Sequence, residues 1–214
     1  MFHNYYYNIH QNCFMKKTLV LLILVFTASV SYCQTFMHGV GVAVLVGSSK
    51  GSDVTVKEGF TYSPRINFFE TEDISVSAGI PIAFGISGSY SAQYNSNNGY
   101  NSDNTIGFAF NAPLIINLNI GRGSTKENTD KMGYFIGAGF GYHHGDFVVN
   151  NVDANGNYTA PESIKVNSFG PQGNAGVRIG VGRLSKNIEI RLSYMKGVNA
   201  TKASLYGLAC LFNF

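Results

Sequence analysis

The feature that most constrains this chain is an alternation of two kinds of side chain with a period of two residues. In the segment 74–87, even positions carry Ile, Val, Ala and Phe, whereas odd positions carry Ser, Gly, Pro and Ala. The segment 105–120 follows the same pattern, and no stretch after residue 34 sustains a helical period. Because successive side chains of a strand point to opposite faces, the alternation predicts strands with one bulky apolar face and one small polar face.

Eight segments show this alternation, and several are longer than the 5–6 residues or so that are usual in globular strands. Strands that cross a bilayer at a tilt need about 9–11 residues, which these segments supply. The predicted strands are 36–46, 59–69, 74–87, 105–120, 133–143, 168–183, 187–196 and 203–214.

The position of the charges distinguishes two kinds of β-protein. Arg65, Arg178, Glu189 and Arg191 all lie on the small polar face, and the centre of the apolar face carries no charge. A secreted soluble barrel, the alternative, would point its bulky apolar side chains inward. Hydrocarbon penalises a charge at its midplane by about 2–4 kcal/mol, and strand edges cannot face lipid unpaired. The sequence therefore predicts an all-β, eight-stranded antiparallel up-and-down transmembrane β-barrel.

The same four charged residues predict a salt-bridge network that fills the barrel, because buried charges need partners. Three Arg against one Glu predict, in addition, water or a further acidic partner from a loop or turn. A polar conduit is the alternative, but eight strands leave an interior only wide enough for side chains.

The connections between segments alternate in length. Short turns at 70–73 and 184–186 fall at one rim, on the periplasmic side if the N-terminus is there, and long polar loops at 88–104 and 145–167 fall at the other. This asymmetry is typical of outer-membrane barrels. The connection 121–132 is longer than a typical periplasmic turn, and the pattern offers no explanation for it.

The N-terminal residues have the composition of a secretory signal. Lys16 and Lys17 precede a mostly apolar run at 19–30 that is followed by small residues. We expect a signal peptide at 15–33, cleavage between Cys33 and Gln34, and a barrel domain at 34–214. Residues 1–14 are interpreted as a mis-called upstream extension, with a genuine extension as the alternative. Acylation of Cys33 is the alternative to simple cleavage.

Charge and cysteine content exclude several classes of function. The 15 Lys and Arg residues of the whole chain exceed the 12 Asp and Glu residues only slightly, which argues against a nucleic-acid partner. Cleavage would leave Cys210 as the one cysteine, so no disulfide framework is expected.

Few residues suggest chemistry. His143, His144 and Asp146 could begin a metal site, but no third ligand with suitable spacing follows, and the sequence favours an exposed loop at the rim. The stretches 95–104 and 153–157 are only loosely similar to calcium loops, so we interpret them as solvated loops. We therefore expect no catalytic residue, no metal and no cofactor.

The two-residue repeat, the eight segments and the final segment SLYGLACLFNF, which ends in Phe214, resemble the small OmpA/OmpX-like outer-membrane β-barrels. The resemblance implies location in the outer membrane of a diderm bacterium, contact with outer-membrane lipid, and a terminal Phe214 that the barrel-assembly machinery reads. It carries over no catalytic residue. The expected role is structural or surface-binding, through long external loops and an extracellular ligand of unknown type. The alternatives are passage of a small solute or hydrophobic compound and, with less support, a lipid-modifying enzyme, whose His-x-Ser pattern is missing.

Overall fold

A computed structural model describes residues 35–49, 54–95, 99–149, 162–182, 186–199 and 202–214; for 87–95, 99–106, 148–149 and 162–164 it describes only the backbone. The expected signal peptide at 15–33, the Cys33–Gln34 cleavage site, the 1–14 extension and the stretch 153–157 lie outside these residues. Within the described ranges, no helix is long and apolar enough to cross a membrane.

The described chain forms ten strands, as its alternation requires. They are β1 (Thr35–Ser48), β2 (Thr55–Phe68), β3 (Ile74–Gly79), β4 (Ile82–Asn95), β5 (Gly99–Asn111), β6 (Leu114–Gly121), β7 (Met132–Val149), β8 (Glu162–Gly180), β9 (Asn187–Lys196) and β10 (Ser204–Asn213).

Two pairs of these strands are halves of a single crossing. β3 and β4 are separated only by Ile80 and Pro81, and β5 and β6 only by Ala112 and Pro113. Proline has no N–H group to donate to the ladder, so each crossing is interrupted at its proline. The register places the two prolines opposite each other, between the Gly79–Ile115 pair and the Ala83–Asn111 pair. The ten strands therefore make eight crossings.

The sheet closes on itself. All pairings are antiparallel, and consecutive crossings lie side by side. β1 pairs with β2 from Thr35 to Gly47 and with β10 from Gly39 to Ser48, so the first crossing joins the last. The described part of the chain is thus an eight-stranded antiparallel up-and-down barrel, which confirms the predicted fold class.

The two faces of the wall divide as the alternation predicts. Phe60 and Phe108 point outward with 76% and 72% of their surface exposed, and Ile, Leu, Val and Tyr side chains form much of the remaining outer face. Small and polar side chains point inward, among them Thr61, Ser63 and Ser77, which are buried. The interior of the barrel is therefore its core, and the outer face is apolar.

The predicted loops at 88–104 and 145–167 are wrong in extent. β4 and β5 stay paired as far as Asn95 and Gly99, and β7 and β8 as far as Val149 and Glu162. The ladder continues through segments rich in Ser, Asn and Gly, whose polar composition had suggested loops. The pattern therefore marks the apolar band and not the full length of the strands.

Candidate functional site: the barrel interior

The four charged residues predicted to face inward meet in the barrel interior, and each is at most 7% exposed. Glu189 on β9 lies at the centre. Its Oε2 accepts from Arg65 Nη1 on β2 at 3.3 Å and from Arg178 Nε on β8 at 2.8 Å. Its Oε1 accepts from Arg191 Nε at 2.9 Å and also from Arg191 Nη2. One carboxylate thus joins three guanidinium groups.

Polar side chains on other strands complete the hydrogen bonds of this cluster. Arg178 Nη1 donates to Asn119 Oδ1 at 3.0 Å, and Arg191 Nη2 donates to Ser63 Oγ at 2.9 Å. The guanidinium carbon of Arg178 lies 4.4 Å from the centre of the Phe135 ring, a cation–π distance. The cluster therefore connects crossings that are far apart in the sequence.

The connection that the sequence left unexplained folds into the end of the barrel beneath this cluster. We call residues 121–131 the plug. The carbonyl of Gly123 accepts from Arg65 Nη2 at 3.4 Å and from Arg178 Nη1 at 3.3 Å, and the carbonyl of Ser124 accepts from Asn67 Nδ2. Among the described residues the loop supplies no acidic partner: Arg65 and Arg178 donate to one backbone carbonyl, that of Gly123, and the Ser124 carbonyl holds the neighbouring Asn67.

The plug is held by its own hydrogen bonds. Arg122 donates from Nη1 to the Asn128 carbonyl at 3.1 Å and from Nη2 to the Lys186 carbonyl at 3.0 Å. Asn128 Nδ2 donates to the carbonyl of Glu72 at 3.1 Å, and the Gly121 N–H donates to the carbonyl of Asp73 at 2.7 Å. The plug is thus bonded to both neighbouring turns at this end, which we call the plug end.

The opposite end of the interior, the hairpin end, holds a second and very different cation. Lys57 is fully buried, with its Nζ 3.2 Å from His143 Nε2 and 4.2 Å from the centre of the Phe147 ring. No carboxylate within salt-bridge distance of Lys57 belongs to the described side chains. The predicted strands missed Lys57 because the second one began at residue 59, although Lys57 has the odd-numbered parity of the inward face.

The prediction that His143 lies on an exposed loop is wrong, because His143 is fully buried in β7. His144 points outward instead, with Nδ1 2.6 Å from Asn167 Oδ1. Asp146 accepts from the Phe108 N–H at 2.9 Å. Among the side chains that the structure describes, no group of three or more His, Cys, Asp or Glu residues could hold a metal ion.

Between the two ends lies a cavity of about 30 Å³. Arg191 lines it from the plug end. Amide oxygens of three more lining residues are buried without a hydrogen-bond partner among the described atoms: Asn111 Oδ1, Gln172 Oε1 and Asn174 Oδ1.

Phe214 follows the closing strand. Its N–H donates to the carbonyl of His38 at 3.0 Å, and its ring centre lies 4.3 Å from the His38 ring. Phe214 is 44% exposed on the outer face, beside Phe212. Recognition of Phe214 by the assembly machinery stays a prediction.

No protein-family model and no curated protein matches the sequence. Among solved structures, the chain is similar to Ail, the attachment invasion locus protein of Yersinia pestis, with 10% identity over 85% of this chain and 98% of that one, at a TM-score of 0.49. It is similar to neisserial surface protein A, with 12% identity over 85% and 97% and a TM-score of 0.47. It is also similar to the outer membrane enzyme PagL, with 11% identity over 81% and 98% and a TM-score of 0.40.

At these identities the likeness concerns the fold and not the activity. The fold is established by the chain's own geometry, because in the described residues eight crossings pair in antiparallel order, the first joins the last, and the outer face is mostly apolar. In architecture, the described part of the chain is a small eight-stranded antiparallel β-barrel with a mostly apolar outer face.

Proposed function

We propose that this protein is an outer-membrane barrel whose role is to anchor and display two extracellular β-hairpins that bind a ligand. The observation that carries the proposal is the difference between the two ends. β4 runs nine residues past Ile86, about 30 Å of strand at about 3.3 Å per residue, before the hairpin turns. At the plug end, by contrast, Phe68 and Ile74 are joined by a short turn.

The apolar outer face supports a location in lipid. A charge at the centre of that face should cost about 2–4 kcal/mol, whereas the same charge at the rim should cost about 0–1 kcal/mol. We therefore expect Phe60→Arg to lower the yield of folded barrel in lipid vesicles, with Val198→Arg, 58% exposed near the hairpin end, as the matched control. Equal yields for the two variants would contradict a lipid-facing Phe60.

The contents of the interior support binding at the surface over conduction. The Glu189 cluster and the plug fill one end, and Lys57, His143 and Phe147 fill the other. We expect the purified protein to give no channels in planar bilayers. Steady single-channel currents would refute this part of the proposal.

The orientation can be tested with epitope tags on intact cells. One tag replaces residues 96–98, which join the ends of β4 and β5, and a control tag is inserted between Lys126 and Glu127, which are exposed on the plug. We expect antibody to label the first tag on intact cells and the second only after the outer membrane is permeabilised.

The binding role is tested with a glycan array. The array is probed with the purified barrel and with a variant whose β4–β5 hairpin is shortened to end near Ser87.

One observation favours a second function, the sideways passage of a small hydrophobic compound. Pro81 and Pro113 face each other in the wall, interrupt the ladder between their crossings, and line the cavity. If this function is correct, the double substitution Pro81→Val, Pro113→Val should close the wall and slow uptake of a hydrophobic dye by cells. Unchanged uptake would leave display as the function.

We also propose that the protein is not an enzyme, because Lys57 and His143, whose amine and imidazole lie 3.2 Å apart, are both fully buried in the barrel interior. Cells that express it should contain lipid A of unchanged mass. A change in lipid A acylation would overturn this proposal.

A further inference from the structure

The Glu189 cluster contains more positive charge than it balances. Arg65, Arg178 and Arg191 each carry a full positive charge, because guanidinium groups do not lose their proton in proteins. Glu189 is the single carboxylate within salt-bridge distance of them among the described side chains. The cluster therefore has a formal charge of +2, held where each residue is at most 7% exposed.

The remaining partners of the cluster do not remove this surplus. Ser63 Oγ, Asn119 Oδ1 and the Gly123 carbonyl accept hydrogen bonds from it, but they are dipoles without net charge. Each buried ion without full compensation is expensive in a protein interior. A cluster of this kind is stabilised by an additional negative charge placed close to it.

The cavity lies where such a charge could bind. Arg191 lines it together with the polar residues Thr61, Ser193, Asn111, Gln172 and Asn174, and small or apolar residues such as Ala43, Leu45 and Ala83 form the remainder of the lining. Its volume of about 30 Å³ exceeds the 10–15 Å³ or so that one water needs, and suits a single monatomic ion better than a tetrahedral oxyanion.

The uncharged side chains around the cavity can serve as donors. The amide oxygens of Asn111, Gln172 and Asn174 are buried without a partner among the described atoms. The oxygens of Asn174 and Gln172 lie against the backbone at Gly137 and Gly141, which do not line the cavity. Each amide also carries an NH₂ group with two donors, which is available to an anion. The Ser193 hydroxyl is a further donor.

We propose that the barrel interior binds a small inorganic anion of halide size, with the Arg191 guanidinium as its charged ligand and neighbouring amide NH₂ groups as its neutral ligands. The anion lowers the surplus charge of the Glu189 cluster and thereby stabilises the closed barrel. The site is independent of the display function, since its lining lies between the two ends and includes no residue of the two hairpins beyond the apolar band.

The first test uses the purified full chain in detergent, with bromide as the probe. The melting temperature, read from heat-modifiable gel mobility, should be a few degrees higher in sodium bromide than in sodium gluconate of equal ionic strength, because an ion that binds only the folded state stabilises it. Crystals grown in bromide should show an anomalous-scattering peak beside Arg191. Equal melting temperatures, together with water alone in the cavity, would overturn the proposal.

Two variants separate a bound anion from a general salt effect. Asn174→Asp places a carboxylate in the cavity, so it should melt in gluconate as high as the wild type melts in bromide, and lose its response to bromide. Ala83→Val reduces the cavity and should also lose the response, whereas Ala109→Val, on the inward face outside the lining, should keep it. A bromide response that survives in both Asn174→Asp and Ala83→Val would refute a site in this cavity.

Discussion

The two ends of the barrel interior bury cations in opposite ways. At the plug end, Arg65 and Arg178 share the carboxylate of Glu189 and two hydrogen bonds to the carbonyl of Gly123. At the hairpin end, the Lys57 ammonium contacts an imidazole and an aromatic ring, and no described carboxylate lies within salt-bridge distance of it. Both ends thus hold cations that solvent does not reach, and the partners of these cations differ.

This difference indicates which of the buried charges stabilise the barrel. Arg65 and Glu189 are 124 residues apart in sequence, so the cluster joins the second crossing to the seventh and to the plug between them. Removing one member leaves the others as uncompensated buried charge. No other described charge forms a salt bridge with Lys57, so replacing Lys57 should destabilise the barrel little.

The largest effect is expected for Glu189→Ala. The substitution leaves three buried guanidinium groups without a carboxylate and should lower the free energy of unfolding by about 3–5 kcal/mol. Urea unfolding in lipid vesicles, followed by gel mobility, measures it. Glu58→Ala, which removes an exposed carboxylate from the outer face of β2, is the control and should change the free energy of unfolding by less than about 0.5 kcal/mol. Equal losses in the two variants would mean that the cluster does not stabilise the barrel.

A smaller effect is expected where the plug contacts the cluster. Gly123 has a φ of +76°, and a Cβ placed on it would lie 2.9 Å from Arg178 Cδ. Gly123→Ala should therefore cost about 2–3 kcal/mol, from backbone strain and from displacement of Arg178. Gly182 has a similar φ of +68° with nothing within 4 Å of an added Cβ, so Gly182→Ala should cost only the strain, about 1 kcal/mol. If the two variants unfold alike, the plug is not packed on the cluster.

The plug end also shows what the sequence could and could not predict. Parity along each strand was enough to put Arg65, Arg178, Glu189 and Arg191 on one face, because side chains alternate strictly within a continuous strand. Alternation predicts the face on which a side chain lies, but not its height in the barrel. The height depends on the register between strands that are far apart in sequence, so the contact of three arginines with one carboxylate could not be predicted. The sequence of the plug has no periodicity, so the length of this connection was the one indication that it differs from an ordinary turn.

The hairpin end was predicted less well, for two different reasons. His143 has the same parity as Gly137, Gly139 and Gly141, so its inward position could have been predicted by continuing the alternation. Lys57 was missed in the same way at the start of β2. The extension of β4 and β5 beyond the apolar band was missed for another reason: the abundance of Ser, Asn and Gly in 88–104 suggested a loop, although Tyr90 and Tyr94 keep the even parity of β4.

The smallest effect is expected at Lys57. Lys57→Met exchanges a buried cation without a carboxylate partner for an apolar side chain of similar length, and such exchanges are often neutral or stabilising. We expect the free energy of unfolding to stay within about 1 kcal/mol of the wild type, or to rise.

Double-mutant cycles compare the two ends directly. The coupling energy between Lys57 and His143, from Lys57→Met, His143→Leu and the double variant, should be below about 0.5 kcal/mol. The coupling between Arg178 and Glu189, from Arg178→Met, Glu189→Gln and the double variant, should exceed about 2 kcal/mol, because the Arg178 Nε to Glu189 Oε2 bond of 2.8 Å joins two buried charges. Because each cycle subtracts the effects of the single substitutions, differences in side-chain volume cancel to first order. Similar coupling energies at the two ends would show that the contribution of a buried charge to the free energy of unfolding does not depend on its partner.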